Sequence, residues 1–223
     1  KLSELHQQYG DTLIMVGIHA TTLAKPSSKM PYDFRTNEGT ELTDFYGISA
    51  IPCAIINRQL HPGGWGVSEW QSQIQNYVHH TPTAAIQIIN QFNKPSQNNL
   101  KANIKVTMLE DYVSTVKLAL LLVEDGVVKP QMLADGSIDS NYVHSHVLRA
   151  FINGTYGDYL TETGRLYKGK AYTYAHSIDF TEHDWDPAKC SVIAILYDAS
   201  FGEGGVLQVE SIPVLSNKNS ITK

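Results

Sequence analysis

The chain reads as an α+β protein: a small α/β part over residues 1–82, followed by an all-β, immunoglobulin-like sandwich over residues 83–223. Three observations predict this. The hydrophobic period is near 3.6 before Pro82 and near 2 after it. About seven segments beyond Pro82 alternate apolar and polar residues, the number an antiparallel sandwich needs. With 223 residues, 42% of them hydrophobic and 17% charged, the chain has the apolar content to bury a sizeable core and is not disordered.

The opening looks like the end of a helix, with Leu2, Leu5 and Tyr9 on one face and Gly10 as its stop. A buried strand is expected from Thr12 to His19, and a loop through the Pro/Ser/Lys stretch from Lys25 to Pro31. Thr40 is placed to cap a short helix with Leu42, Phe45 and Tyr46 on its apolar face and Gly47 at its end. The apolar segment Cys53 to Ile56 follows as a strand. A longer helix begins at Ser68, with Gln71 completing a capping box and Trp70, Ile74, Tyr77 and Val78 at helical spacing, and it stops at Thr81-Pro82. In the second part, Leu100, Ala102, Ile104, Val106 and Met108 alternate with polar residues, which puts one face in a core and the other in water. Val116, Leu118, Leu120 and Leu122 repeat that pattern, as do segments near 85–89, 142–149, 171–180, 191–198 and 206–212.

Charge and cysteine usage narrow the function. Seventeen Lys+Arg against 22 Asp+Glu leave a net charge of −5, shared by both parts. No basic patch is built to neutralise phosphates, so no nucleic-acid partner is expected, and no run reaches the ~18 apolar residues of a membrane helix. Cys53 and Cys190 are the two cysteines, without a CxxC or zinc-finger spacing. The sequence opens inside a helix with neither an initiator Met nor a lipidation cysteine, which fits a processed or trimmed piece whose export signal lay upstream.

The order of helix end, apolar strand, helix and a Gly47-Ile48-Ser49-Ala50-Ile51-Pro52 step into a second apolar strand resembles the central part of a thioredoxin fold. In that resemblance Pro52 is a candidate structural cis-proline, since the tertiary amide lowers the preference for trans to about 0.5–1 kcal/mol. The dithiol that the fold uses for redox work is missing, and Cys53 reads as a small core residue. Further along stand Val123-Glu124-Asp125-Gly126-Val127-Val128, Tyr142-Val143-His144-Ser145-His146-Val147-Leu148-Arg149-Ala150, Trp185-Asp186-Pro187 and Val192-Ile193-Ala194-Ile195-Leu196-Tyr197-Asp198. With Ile51-Pro52 and Asn57-Arg58 these resemble, in order and over essentially the whole chain, the twenty-eight-kilodalton outer-membrane lipoprotein family of Bacteroidetes. That resemblance implies an exported, outer-membrane protein, lipid-anchored at a cysteine outside this chain, combining a thioredoxin-like part truncated here with a sandwich domain. Surface adhesion or receptor-like binding is the role it suggests.

Each candidate site has a plainer explanation beside it. His144 and His146, two apart on one expected strand, would share a face and could share a metal, with His176 or the Glu182-His183-Asp184 segment supplying a third ligand. The plainer expectation is a pair of polar sheet residues partnered by Tyr142 or backbone, with no metal. Asn153-Gly154-Thr155 fits a glycosylation triplet and implies an exposed turn. Asp135 to Asp139 reads as a turn rather than a calcium loop, and Gly202 to Gly205 follow a strand without opening a helix. No hydrolase elbow, P-loop or zincin motif is present, and no cofactor is implied. Five of the 12 tyrosines, Tyr156, Tyr159, Tyr167, Tyr172 and Tyr174, crowd one Gly-containing stretch, a mixture that binding loops favour. The same rings could equally pack across the sandwich edge. Tyr156, Tyr159 and Tyr167 are the candidate binding residues, because Tyr172 and Tyr174 share a period-2 pattern with His176, Ile178 and Phe180 that faces a sheet.

The expected function is therefore a non-catalytic protein at the cell outer membrane that binds an unknown macromolecular or surface ligand. The alternative is a thiol-disulfide oxidoreductase whose CxxC lies upstream of this chain.

Overall fold

The computed structural model describes residues 1–93, 98–133, 135–200 and 205–216, so the expectation for Gly202–Gly204 lies outside the described residues. The molecule is mostly β. Helices α1 (Leu2–Tyr9), α2 (Asn37–Phe45) and α3 (Trp70–Gln75) belong to the first part, with the short strands β1 (Cys53–Ala54) and β2 (Trp65–Gly66). The second part holds long antiparallel strands and short connecting ones. In order they are β3 (Ala84–Asn93), β4 (Asn99–Met108), β5 (Tyr112–Val113), β6 (Val116–Glu124), β7 (Val127–Val128), β8 (Gln131–Met132) and β9 (Ile138–Asp139). Then follow β10 (Val143–His144), β11 (Val147–Phe151), β12 (Asp158–Tyr159), β13 (Arg165–Leu166), β14 (Ala171–Asp179), β15 (Cys190–Asp198) and β16 (Val206–Pro213). Among the described residues no helix is long and apolar enough to cross a membrane.

Two sheets face each other. One has the order β11-β6-β15-β16 with β12 also on β6, and the other β14-β4-β3. Alternation on β4 and β14 sends Leu100, Ala102, Ile104, Val106 and Met108, with Tyr172, Tyr174 and Ile178, onto the core made with Leu118, Leu120, Leu122 and Val192. Each fully buried Leu or Ile here contributes about 1.5–3 kcal/mol through removal of apolar surface from water. The sheets are tied at one side by Asn90 Nδ2 donating to the Pro213 carbonyl (3.2 Å) and at the other by the Tyr174 hydroxyl donating to the Leu160 carbonyl (3.0 Å).

Strand β6 departs from its expected one-sided pattern. Leu118, Leu120 and Leu122 enter the sandwich core, and Ala119, Leu121 and Val123 are buried too, on the opposite face. That face is covered by the first part of the chain: Leu42 and Tyr46 of α2, with Ile14, Val16, Ile48 and Ile55, close on Leu121, Val123, Leu148, Phe151 and Ile193. A continuous apolar run is what a strand covered on both faces requires.

Several local expectations are corrected. Residues 12–19 form no strand beyond a single parallel bridge of Gly17 to Val147; away from that bridge Ile14 and Val16 meet the sheet through their side chains. Helix α2 starts at Asn37, capped by extended Thr36, whose Oγ1 accepts the Gly39 N–H (2.9 Å); Thr40 lies inside and bonds back to the Thr36 carbonyl. In α3 no Ser68 capping box forms: the N-cap is Glu69, whose carboxylate accepts the Gly66 N–H (3.0 Å), and the helix ends at Gln75. The expected strand over 142–149 is two strands, since His146 adopts φ 58, and β10 pairs with β7 while β11 pairs with β6.

A buried ion pair within the second part holds the arginine that reaches across to the first. Arg149 Nε and Glu124 Oε2 lie 2.7 Å apart, each side chain 5% exposed. Glu124 also accepts the Asp186 N–H (3.1 Å), and Arg149 donates to the Tyr32 hydroxyl (3.0 Å), which donates in turn to Asp184 (2.7 Å). The Lys129 ammonium sits 4.1 Å over the Tyr32 ring. Two of the segments that carry the sequence resemblance thus converge on the strap of residues around Tyr32 and Phe34, and Asp186 of a third meets them at Glu124.

Candidate binding surface

After β11 the chain leaves the edge of β6 and returns to it as β12, and the excursion, Asn153–Gly157, is pinned at both ends. Ile152 N–H donates to the Leu120 carbonyl (2.7 Å) and Leu160 N–H to the Val116 carbonyl (2.8 Å). Between them the Asn153 side chain stands in for a missing strand partner: its Oδ1 accepts the Leu120 N–H (2.8 Å) and its Nδ2 donates to the Leu118 carbonyl and to Asp158 (2.9 Å each). Thr155 is buried and donates to Glu41 of α2. Gly154 is exposed, as expected of this Gly-containing turn, while Thr155 is buried and the Asn153 amide nitrogen is committed to the strand.

This pinned loop displays Tyr156, 37% exposed, whose carbonyl accepts the buried Tyr197 hydroxyl (2.6 Å). Its ring meets Phe45 of α2 edge-on at 5.8 Å. Phe45, expected on the buried helix face, is 50% exposed, so sequence reasoning missed it as a surface residue. Helix α2 and the loop enclose a shallow groove lined by Asn37, Glu38, Glu41, Asn153, Thr155 and Tyr156. Tyr159, on β12, is 58% exposed beneath the Lys117 ammonium at 4.3 Å. Tyr167, 54% exposed, stands on a separate turn between β13 and β14, held by Lys170 N–H to its carbonyl (3.0 Å). No ring contact joins these three among the described residues. Tyr172 and Tyr174 are half-buried on the sandwich core. Beneath the loop, Arg58 lies 4.0 Å over the Tyr197 ring, and burial pushes the Tyr46 and Tyr197 hydroxyls up, so both stay protonated.

The remaining candidates fall elsewhere. The Ile51–Pro52 bond is cis and leads into β1. Cys53 is half-buried and burial raises its thiol, while Cys190 is buried and pushed up to about 12, so neither is a thiolate at neutral pH. His144 and His146 do not share a face. His144 Nε2 lies 3.2 Å from the Lys129 carbonyl in a ring cluster with His19, Phe34 and Tyr142, whereas His146 Nδ1 lies 3.3 Å from Asp125. His176 pairs with Asp158 (2.8 Å), and His183 stacks on Trp185 (3.7 Å). Among the described residues no three His, Cys, Asp or Glu side chains are placed to hold a metal.

A family model described as outer membrane protein Omp28 matches residues 40–218. The chain belongs to the Omp28 family. An outer-membrane-associated protein is therefore the context for the Omp28 surface above. By fold it is similar to HBP35 of Porphyromonas gingivalis, with a TM-score of 0.58 at 15% identity over 78% of this chain; it spans about half, 55%, of the HBP35 chain. A domain of the outer membrane lipoprotein Omp28 from Porphyromonas gingivalis is a further neighbour, with 18% identity, a TM-score of 0.39, and coverage of 60% of this chain and 90% of that one. No curated protein matches.

His19, its ring 4.7 Å from that of Phe34 in the strap, is expected to make the Omp28 chain sensitive to acid. Burial, with His144 and Arg149 nearby, lowers His19 from 6.5 to about 4, so the fold holds it neutral, while the unfolded chain takes up the proton below 6.5. The unfolded state then binds more protons, and stability falls as pH drops from 6.5 toward 4. His19→Leu is expected to flatten this part of the profile, read as thermal midpoint against pH; an unchanged slope would place the sensitivity in other groups.

Proposed function

We propose that this Omp28 protein is a non-catalytic surface-binding component of the outer membrane, held by a lipid anchor outside this chain. In this reading it takes a macromolecular or surface partner through Tyr156, Tyr159 and Tyr167. The supporting observation is exposure on fixed backbone: the three amphipathic rings are more than a third exposed, Tyr156 and Tyr159 on the segment pinned by the Asn153 side chain and Tyr167 on a turn closed by Lys170 N–H. Rigid display of tyrosine provides contact area at low cost in conformational entropy. A thioredoxin-like first part and an immunoglobulin-like arrangement of the sandwich complete the proposal, supported by the order of α1, α2 and β1 and by the two facing antiparallel sheets.

Replacing Tyr156, Tyr159 and Tyr167 by Ala is expected to leave the thermal midpoint nearly unchanged. Adhesion of cells carrying the full-length protein should weaken, with each anchor ring costing about 1–2 kcal/mol or more of binding energy. Ala at Tyr172 and Tyr174 should instead destabilise the fold, since Tyr174 bridges to the Leu160 carbonyl and both rings pack on the core. Early unfolding of the loop variant, or adhesion equal to the parent's, would overturn the assignment. Anchoring is tested separately, by uptake of labelled lipid into the full-length protein in its own cell; a soluble, unlabelled product would refute it.

A further inference from the structure

The two sheets have four broad faces. Two form the core, and the outer face of the β6 sheet is covered by the first part of the chain. The outer face of β14-β4-β3 carries nothing among the described residues. Its register repeats itself. Gln91, Lys101 and Ser177 form one rung across the three strands, and Gln87, Lys105 and Thr173 form another. Between them lies the low rung of Ile89, Asn103 and Ala175, where the surface dips. Each lysine thus has an amide on one side and a hydroxyl on the other. Four residues of strand separate the backbones of the two lysines by roughly 13 Å.

The charge on this face opposes that of the molecule. The chain carries −5, yet these three rungs hold two ammonium groups and no carboxylate; Asp179 lies at the end of the sheet. Lys101 and Lys105 are exposed, and neither makes an ion pair among the described residues, whereas Lys129 and Lys189 lie 3.9 Å from Asp184 and Asp186. A lipid surface is a poor fit, because Ile89, 38% exposed, is the one large apolar side chain pointing outward from these rungs, with no aromatic ring to enter the interface. Nucleic acid fits poorly too, for want of rings on which bases stack.

We infer that this bare sheet face binds a linear anionic polysaccharide lying along β4. Its acidic groups meet Lys101 and Lys105, a sugar ring rests on the Ile89–Asn103–Ala175 rung, and the flanking amides and hydroxyls take sugar hydroxyls. The site is on the opposite sheet from the Tyr156 loop and does not depend on it.

Electrophoresis of the whole chain through gels containing polygalacturonate tests the assignment, with neutral dextran as the control polymer and phosphatidylglycerol vesicles as the membrane arm. The parent should be retarded by polygalacturonate and not by dextran, with retardation lost as salt rises. The double variant Lys101→Gln, Lys105→Gln should bind about fivefold more weakly, as loss of two exposed ion pairs implies. Ile89→Glu, which places a carboxylate between the lysines, should weaken binding without altering them, and it decides the matter if the double variant is unstable. The triple tyrosine variant should be retarded like the parent. Equal retardation of the lysine variants and the parent, retardation by dextran, or binding to vesicles but not to the polymer would overturn the proposal.

Discussion

Arg149→Ala is expected to lower the unfolding free energy by about 3–5 kcal/mol, the range measured when one partner of a buried ion pair is removed. The loss comes less from the missing attraction than from what stays behind: Glu124 would remain 5% exposed and charged, with the Asp186 N–H as its remaining partner. Tyr32 would lose the donor that orients its hydroxyl toward Asp184, and the strap that it anchors would loosen. The double variant Glu124→Gln, Arg149→Met should recover part of the deficit by removing the orphaned charge, so the two single losses are not additive. Urea unfolding followed by tryptophan fluorescence reads both variants against the parent. A loss below about 1 kcal/mol for Arg149→Ala would show that water reaches Glu124 and that the pair is no fastening.

Gly157→Ala should be comparably severe for a backbone reason. Gly157 sits at φ +66, and a Cβ there would lie 2.1 Å from the Leu118 carbonyl oxygen and 2.7 Å from Ala119 Cα, atoms of a central strand that cannot rotate aside. The left-handed conformation costs an L-residue about 1–2 kcal/mol, and overpacking against fixed backbone raises the expected loss to about 3–5 kcal/mol. Gly154→Ala, three residues earlier at φ +81 with open space around it, should cost only the conformational share, about 1–2 kcal/mol. Thermal midpoints of the two variants separate the effects. Since Gly157 holds the return of the chain onto β6, its substitution should impair stability and adhesion together, unlike the tyrosine variants. Equal midpoints for the two glycine variants would mean that the loop can lift off β6 without loss.

The long strands were legible wherever one face meets water, as on β4 and β14, because alternation then records the pleat. Legibility failed where two layers cover one strand. Leu118-Ala119-Leu120-Leu121-Leu122-Val123 is apolar at every position, and reading it as one-sided assigned half of it to solvent that the first part of the chain displaces. The break at His146 carries no glycine or proline and is enforced from outside, by Asp125 on its N–H (2.6 Å) and by the bridge of Gly17 to its carbonyl (2.6 Å). The helix expected to be capped by Thr40 begins one turn earlier at Thr36, with Leu42 and Tyr46 packed on the sheet. Exposure of Tyr156, Tyr159 and Tyr167 followed from their Gly-rich surroundings. The neighbouring Phe45 and the groove did not, since they depend on α2 meeting a loop more than 100 residues downstream, through Glu41 and Thr155.

The bridge between Gly17 and Val147 also orders events in time. Ribosomes add roughly 5–20 residues per second, so residues near 17 emerge roughly 10 s before the strand that receives them exists. Until then Ile14 and Val16 have no sheet to lie on. A protein bound for the outer membrane must also cross an inner one, which lengthens the wait. This segment is thus among the last to find its place, and throughout that delay Ile14 and Val16 stay without the apolar cover that the finished sheet gives them.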